Sequence, residues 1–477
     1  MDIAIEPDKI EIPSHLKITQ GKIYDTIDSI GGTGVFDFLS RLTDAGNAER
    51  FAYFTRNTCR YCDDYSKWLI NDGQRWVIDN RNEILRLAKE VNRSLYSLAG
   101  QIRDDSKRTE VASHLIKSES DSRMRAMLHL AQSELPIVPD ELDSDRDLFN
   151  VANGTIDLIT GTLQAHDPND LITKVANVEF DASATCPAWK RFLAEITDNH
   201  TSLQEFLQSS VGYSLTGDTS EQCIFIQYGT GSNGKSTFNG VLTSLFGDYW
   251  QQTPVESLLV KNRETIPADL ARLKGARLVT AAEVESGRRI AESLIKQMSG
   301  GDEITARYLY GEWFSYKPQF KIFIQTNHKP VIRGSDYAIW RRIRLIPFSV
   351  TFSPEKQDRH LLHKLEAELA GILNWALEGL ERWREKGLEM PDEVRTATNE
   401  YRSEMDVLSA FLGDCCNTGN GSMASAKSLY SAYAEWCEST GEYKMSQRAM
   451  GTKLRERGFD SIRQRNGVKW LHIGLVD

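Results

Sequence analysis

The stretch CIFIQYGTGSNGKST, residues 223–237, decides the fold class of this chain. Its first six residues are apolar and β-prone, its centre is rich in glycine, and helical periodicity continues from residue 236 to residue 246. A strand, a glycine-rich loop and a helix in this order form a phosphate-binding P-loop. The stretch therefore predicts an α/β nucleotide-binding domain with a mostly parallel central sheet.

The loop contains the groups that ATP with Mg²⁺ requires. Its glycines let backbone N–H groups turn toward phosphate oxygens, and a helix begins at the same place. Lys235 is expected to neutralise the β- and γ-phosphates, and Ser236 is expected to ligate Mg²⁺. A chance match in an unrelated loop is the alternative, which the flanking elements disfavour. The predicted nucleotide-binding residues are Gly229, Thr230, Gly231, Ser232, Asn233, Gly234, Lys235, Ser236 and Thr237.

Two buried strands are predicted downstream, and each ends in a polar side chain. The run ARLVTA leads to Glu283 and Glu285, and the run FKIFIQT leads to Asn327. Carboxylates at the tip of a strand adjacent to the P-loop strand can hold the magnesium shell and polarise the attacking water, so Glu283 is also a candidate metal ligand. Asn327 can hydrogen-bond the γ-phosphate or the lytic water. An exposed acidic turn is the alternative for the glutamates.

Arginines precede a further apolar strand in the run WRRIRLIPF. Arg341 and Arg342 stand at the entrance of that strand, where an arginine can stabilise transition-state charge on the nucleotide of a neighbouring subunit. A solvated basic edge is the alternative interpretation of either arginine.

The segment ITARYLYGEWFSYKPQFK, residues 304–321, interleaves cations with aromatic rings around a Gly-Glu turn. Such a hairpin suits the backbone and bases of single-stranded DNA, and Arg307 and Lys317 are the candidate contacts. A hairpin packed into the fold is the alternative for the aromatic side chains.

Charge and cysteine content set wider limits. The net charge of −10 argues against a chain that coats nucleic acid over its whole surface, but it allows local basic patches. The sequence has no leader pattern and no apolar run long enough to span a membrane, so a cytoplasmic protein of a bacterial host cell is expected. Cys59 and Cys62 form a CxxC without a second metal-binding pair, so they are interpreted as semi-buried thiols.

The C-terminal residues predict a winged helix. Helices are expected at 424–437 and 446–457, after a loop CCNTGNGSM, and a hairpin is expected around an Asn-Gly turn. Residues 444–470 contain eight Lys or Arg against two Asp or Glu, which suits duplex DNA. A winged helix that docks a protein is the alternative. The candidate contacts are Arg448, Lys453, Arg455, Arg463, Arg465 and Lys469, with Arg457 beside them.

Composition and turn residues divide the chain into four predicted parts. No internal repeat or low-complexity tract interrupts them. Residues 1–75 are expected to form a small accessory module, 76–195 a helical segment with a β-hairpin, 196–390 the nucleotide-binding domain, and 391–477 a helical linker with the winged helix.

Together these motifs resemble a superfamily 3 helicase of the phage and plasmid primase type, which is related to the poxvirus primase-helicase. The resemblance rests on GTGSNGKST, AAEVESGRR, SGGDEITARYLYGEWFSYKPQFKIFIQTNHKP and DYAIWRRIRLIPF, and it extends upstream through LFNVANGTIDLITGTL and VGYSLTG. It covers residues 60–477. The family implies AAA+ type subunits that form a ring, usually a hexamer, hydrolyse ATP between subunits and translocate on one DNA strand.

The resemblance also assigns roles, with two departures. Many relatives have two adjacent acids, whereas here Val284 separates Glu283 from Glu285, which leaves their division of labour open. Relatives often begin with a primase domain, whereas about 75 residues precede the similar region here, so primer synthesis is expected to be absent. By resemblance, Lys235 and Ser236 are the Walker A pair, Glu283 the leading Walker B carboxylate, Asn327 the sensor, and Arg342 the preferred arginine finger ahead of Arg341.

The sequence therefore predicts an ATP-dependent replicative DNA helicase of a phage, plasmid or integrated mobile element. It is expected to use ATP and Mg²⁺, to act on single-stranded and forked DNA, to assemble with copies of itself, and to work with a separate primase or polymerase. The alternative is a DNA-binding ATPase that loads or recruits a separate helicase or primase, which needs no cations in a pore. A small-molecule kinase explains neither Asn327 nor the basic C-terminal part.

Overall fold

The structure is a computed structural model, and it describes residues 37–260, 268–285, 287–307, 313–332, 337–442, 444–464 and 467–476. Among these residues, no helix is both long and apolar enough to cross a membrane.

The N-terminal unit packs helices against a small antiparallel sheet. The helical spacing predicted between residues 80 and 135 is confirmed, and Leu87, Val91 and Leu95 face a core shared with Phe51. Since β3 pairs with β2 in one sheet, the boundary predicted after residue 75 separates two strands that belong together. The elements are α1 (Asp44–Thr55), β1 (Cys59–Cys62), β2 (Lys67–Asn71), β3 (Trp76–Ile78), α2 (Glu83–Ala99), α3 (Asp105–Ser118) and α4 (Asp121–Ala131).

The two CxxC thiols lie at the ends of β1. Cys59 and Cys62 are three positions apart on a strand, so their side chains point to opposite faces. Cys59 packs in the helical core, and Cys62 packs in a separate small core with Trp76. Burial raises the pKa of the Cys59 thiol to about 12. Both are buried, more deeply than the semi-buried interpretation from the sequence.

The predicted hairpin is confirmed and has a third strand: β4 (Leu148–Val151), β5 (Gly154–Asp157) and β6 (Thr162–Gln164). Gly154 permits the close approach of β6, because a Cβ there would lie 2.4 Å from the carbonyl oxygen of Gln164. Phe149 stacks on Tyr249 with ring centroids 4.7 Å apart, so the sheet joins the core of the nucleotide-binding domain. The boundary predicted after residue 195 cuts the helix Pro187–Ile196, and the hairpin belongs with the domain that follows.

The central sheet has five parallel strands in the order β13-β7-β12-β9-β8, which confirms the predicted parallel α/β fold. One expectation is wrong: the glutamate-bearing strand β9 is not adjacent to the P-loop strand β7, because β12 lies between them. The order of strands along the chain does not determine their order in the sheet, because a crossover connection can place consecutive strands in non-adjacent positions. The strands are β7 (Ile224–Tyr228), β8 (Trp250–Gln252), β9 (Leu278–Ala282), β12 (Lys321–Thr326) and β13 (Ile343–Pro347).

Both faces of this sheet are covered, which explains the continuous apolar runs of its strands. In β7, Phe225 packs in one core, whereas Ile224 and Ile226 pack in the other. The covering helices are α5 (Pro187–Ile196), α6 (Thr201–Leu215), α7 (Lys235–Phe246), α8 (Ala268–Ala271), α9 (Glu292–Gly300), α10 (Tyr337–Trp340), α11 (Leu361–Glu366), α12 (Leu369–Lys386) and α13 (Asp392–Glu404). Val394 of α13 packs in one of these cores and Tyr401 of α13 packs in the other. The domain therefore continues beyond the predicted boundary at residue 390.

The C-terminal unit has its own core around Trp470. Its order is helix, strand, helix, helix, strand, strand, and the sheet order is β14-β16-β15. Both predicted helices and the hairpin are confirmed. Most of the stretch CCNTGNGSM, predicted as a loop, belongs to a strand, because residues 416–418 and 423–425 pair with β16; its two glycines lie in the irregularity between Thr418 and Met423. The elements are α14 (Val407–Cys415), β14 (Cys416–Ser425), α15 (Ala426–Thr440), α16 (Gln447–Glu456), β15 (Ser461–Gln464) and β16 (Gly467–Leu475).

Candidate nucleotide site and nucleic-acid interface

Lys235, the first residue of α7, lies at the centre of the candidate nucleotide site and is only 3% exposed. Its Nζ donates to the carbonyl oxygen of Gly229 at 2.5 Å, to Oδ1 of Asn233 at 3.1 Å and to Oδ1 of Asn327 at 3.3 Å. All three acceptors are uncharged, and burial lowers the pKa of the Lys235 ammonium. An anion that enters the loop would supply the negative charge that these acceptors lack.

The loop has the backbone conformation that its glycines permit. The φ angle is +109° at Gly231 and +87° at Gly234. A Cβ at Gly234 would also lie 2.4 Å from Cγ2 of Ile196, so only glycine fits there. The amide of Phe352 donates to the carbonyl oxygen of Ser232 at 2.8 Å, which ties the loop to the segment after β13. The sequence prediction of strand, loop and helix is confirmed.

The predicted polar strand tips lie at the same edge of the sheet as the loop. β12 is the direct neighbour of the P-loop strand, so Asn327 reaches Lys235. Glu283 lies one strand further away and its amide donates to the carbonyl oxygen of Gln325 at 2.9 Å. The φ angle of Glu283 is +64°, a strained value for a side-chain-bearing residue that is typical of functional positions. Glu285 is exposed and pairs with Arg288 at 3.4 Å.

Three amides form a partly buried network below the loop that the sequence analysis missed. Nε2 of Gln325 donates to Oγ of Ser236 at 2.8 Å, and Oε1 of Gln325 accepts from Nδ2 of Asn239 at 3.1 Å. The same Nδ2 donates to Oε1 of Gln227 at 2.6 Å. The sequence does contain a signal, because the tetrapeptide IFIQ occurs at residues 224–227 and 322–325, and these positions pair in register. An amide repeated in two buried strands marks a shared polar site.

The two candidate arginine fingers differ in exposure. Arg342 is 8% exposed, and its Nη1 donates to the carbonyl oxygen of Ala338 at 2.6 Å. Arg341 is exposed and donates to Oε1 of Gln222 in its own chain. Adjacent residues at the end of a helix point in different directions, which the sequence motif does not reveal. Arg341 is therefore the better placed of the two to reach a neighbouring molecule.

The cation-rich segment forms the predicted hairpin of β10 (Ile304–Arg307) and β11 (Trp313–Tyr316), while its turn, residues 308–312, lies outside the described residues. Arg307 pairs in register with Trp313, and its guanidinium lies 4.8 Å from the ring centroid. Trp313 is 54% exposed, and Lys317 is exposed beyond the strand. The alternative that the aromatic side chains pack into the fold holds for Tyr316, which is buried and whose hydroxyl donates to the carbonyl oxygen of Leu270.

Trp313 is the residue that the sequence analysis did not single out from the other aromatic side chains of this segment. Lys321, which the sequence analysis counted among the cations of the segment, has a structural role instead. It is 2% exposed, and its Nζ donates to the carbonyl oxygen of Thr216 at 2.6 Å and lies over the ring of Tyr213. Nucleic acid cannot reach a lysine at this depth.

The structure does not bring all of the predicted C-terminal cations to one surface. Arg463 pairs with Val468 and Ile462 pairs with Lys469, so the two cations Arg463 and Lys469 lie on opposite faces of the hairpin. Arg457 forms an ion pair with Asp406, which makes it structural. Arg448, Arg455 and Arg463 are exposed, Lys453 and Lys469 are partly exposed, and Arg465 lies outside the described residues.

Protein-family models match three parts of the chain. A model described as "D5 N terminal like" matches residues 48–198, and one described as "Poxvirus D5 protein-like" matches residues 403–468. A family of unknown function matches residues 227–342, which include the P-loop and Arg341. These matches support a D5-like primase-helicase family. This agrees with the resemblance to the poxvirus type of primase-helicase in the sequence analysis.

Sequence relatives of the chain include proteins of large DNA viruses. L207/L206 of Acanthamoeba polyphaga mimivirus, a candidate helicase by name, is 30% identical over 325 residues, which cover 62% of this chain and 34% of that protein. Primase D5 of fowlpox virus is 29% identical over 148 residues, which cover 30% of this chain and 18% of that protein. The aligned part thus spans about one third or less of these relatives.

A solved structure also has a similar fold. The apo structure of the C-terminal region of NrS-1 covers 87% of this chain and 96% of that chain, with a TM-score of 0.50 and 12% sequence identity. At this identity the likeness concerns the fold alone.

Proposed function

We propose that this D5-like chain is an ATP-dependent DNA helicase subunit that hydrolyses ATP between neighbouring subunits of a ring. The observation that carries the proposal is the contact of Lys235 with Asn327, which joins the phosphate loop to a polar side chain on the adjacent strand. A lysine for the phosphates and an amide for the γ-phosphate or the lytic water are what ATP hydrolysis requires at this edge. The names of the relatives, helicase and primase, support the same class.

Two features of the fold support the finer assignment. A polar-tipped strand between the P-loop strand and the glutamate strand agrees with the AAA+ type of ATPase that the sequence resembles. The C-terminal order of helix, strand, two helices and two strands agrees with a winged helix, whose exposed cations Arg448 and Arg455 would contact duplex DNA.

The residues present fit ATP with Mg²⁺. The backbone amides of the loop and Lys235 would hold the phosphates, and the oxygens of Ser236 and Glu283 are the hard donors that Mg²⁺ prefers. The metal would supply charge neutralisation of the phosphates. Glu283 or Glu285 would accept a proton from the attacking water, and Asn327 would orient that water.

The hydrogen bond from Gln325 to Ser236 gives a prediction about the metal. Replacing Gln325 by leucine is expected to raise the Mg²⁺ concentration for half-maximal ATP hydrolysis about threefold to tenfold, because Ser236 loses the donor that orients it. A Mg²⁺ titration of the ATPase rate measures this change. Nucleotide affinity in EDTA serves as the control and should stay the same. An unchanged Mg²⁺ requirement would show that the hydrogen bond does not serve the metal.

The hairpin distinguishes a helicase from a loader. Replacing both Arg307 and Trp313 by alanine is expected to reduce the rate of unwinding of a forked duplex by at least about tenfold, because stacking and phosphate contact are lost together. Basal ATP hydrolysis should persist, since neither side chain lies at the P-loop edge of the sheet. The matched control is Arg359→Ala, which removes an exposed arginine elsewhere.

Wild-type protein that hydrolyses ATP as a ring but does not separate the forked strands would contradict the helicase proposal. In that case the loader alternative predicts that the same double variant weakens assembly with DNA without changing any unwinding rate.

A further inference from the structure

A cleft of about 900 Å³ lies between the N-terminal unit and the β10–β11 hairpin. One wall is formed by β2 and β3, the floor by residues 138–143, and the opposite wall by Lys274 and β11. This volume is within the range of ligand sites in proteins and is large enough for a few nucleotides. The cleft is separate from the nucleotide site, because none of the P-loop residues lines it.

Exposed apolar side chains gather at this cleft. Ile78, Val138 and Trp313 all line it, and each is more than two fifths exposed. They come from three separate parts of the chain, so neither a local turn nor one strand accounts for their grouping. Large apolar side chains that converge on one concave surface are typical of a binding site. Trp313 offers an aromatic ring on which a base can stack.

Four cations and three carboxylates line the cleft, which leaves a small excess of positive charge. Lys67 and Lys174 line it and form no ion pair among the residues that the structure describes. Two of the three carboxylates that line the cleft are engaged: Asp143 accepts from the amide of Thr173 at 2.7 Å, and Asp140 pairs with Lys274 at 3.3 Å. The third, Asp64, is exposed to solvent. The two lysines therefore remain available to phosphates.

We infer that this cleft binds a segment of single-stranded DNA, a few nucleotides long, that continues from the hairpin toward the N-terminal unit. A base would stack on Trp313, and the phosphates on either side would contact Lys67 and Lys174. Bases must be unpaired to stack in this way, which favours a single strand over a duplex. The inference deepens the proposed function, because the strand held by the hairpin is the one that would enter the cleft.

Charge reversal tests the inference on the full chain. The double variant Lys67→Glu with Lys174→Glu is expected to bind fluorescent oligothymidine at least about tenfold more weakly than wild type. The slope of log affinity against log salt concentration should fall by the equivalent of about two phosphate contacts. The matched control reverses two exposed lysines outside the cleft, Lys89→Glu with Lys190→Glu, and should retain most of the affinity. ATP hydrolysis without DNA should stay the same in both variants.

Photo-crosslinking gives an independent measurement. Oligothymidine that contains 5-bromodeoxyuridine is expected to crosslink both to Trp313 and to Tyr65, which lines the opposite wall. Crosslinks on both walls would support the inference. Crosslinks restricted to the hairpin, or equal affinities of the cleft variant and the control variant, would overturn it.

The proposed function fails in a different way. If wild-type protein binds neither single-stranded nor forked DNA, the helicase proposal itself is wrong. If wild type binds DNA, loses binding on Arg307→Ala and is unaffected by charge reversal in the cleft, only the inference is wrong.

Discussion

Replacing Lys235 by alanine is expected to lower the rate of ATP hydrolysis by about a hundredfold to a thousandfold, the usual effect of removing one preorganised charge-stabilising donor. In this structure Lys235 is the cation that contacts both the loop and Asn327. Without it, the β- and γ-phosphates would lose a buried positive charge. A coupled assay of phosphate release on the purified protein measures the effect.

The fold should survive this substitution. Burial lowers the pKa of the Lys235 ammonium, which means that the site disfavours the charge in the absence of an anion. The midpoint of thermal unfolding is therefore expected to stay the same or to rise. Lys356→Ala is a matched control, because it removes an exposed lysine from the segment after β13 and should retain full activity. Full activity of Lys235→Ala would refute the nucleotide site.

Replacing Arg341 by alanine is expected to lower ATP hydrolysis at least a hundredfold, within the effect of an arginine finger, while nucleotide affinity changes little. The parallel register supports action on a neighbour. Ile343 pairs with Ile224 and Pro347 with Tyr228, so Arg341 precedes β13 at the edge of the sheet away from the P-loop. Five residues of strand separate the two edges by about 16 Å, beyond the reach of an arginine to its own loop.

Mixing two inactive variants tests this geometry. In an equal mixture of Lys235→Ala and Arg341→Ala subunits, about one quarter of the interfaces would combine an intact lysine with a neighbour's intact arginine. Partial recovery of ATP hydrolysis is expected on mixing, and no recovery would mean that Arg341 does not act between subunits. Arg342→Ala serves as the comparison. Because Arg342 is buried and bonded to Ala338, its loss is expected to lower the unfolding midpoint in addition to any effect on activity.

Contacts within the candidate site are easier to predict from sequence when their residues lie close together in the chain. The P-loop was predictable because its strand, glycines and helix are consecutive, and φ angles such as +87° at Gly234 follow from the residue type. Asn327 and Lys235 were each predicted to act on the γ-phosphate, but their direct contact was not predicted. The hydrogen bond from Gln325 to Ser236 was missed, because its partners are 89 residues apart and meet only through strand pairing.

The domain boundaries failed for a related reason. Turn residues mark where an element ends, but they do not show which core the next element joins. Phe149 lies far from Tyr249 in sequence and still stacks on it, which places the hairpin in the nucleotide-binding domain. Likewise, Val394 of α13 extends that domain into the predicted linker.

The sequence by itself determined the phosphate loop, the parallel α/β class, the hairpin and the helices and strands of the C-terminal unit, since local backbone preference and apolar periodicity specify all of them. Tertiary structure alone decided that β12 separates the glutamate strand from the P-loop strand and that Arg341 rather than Arg342 faces outward. It also formed the cleft between Lys67 and Trp313. These features depend on which surfaces pack together, and packing is a property of residue pairs that are distant in the chain.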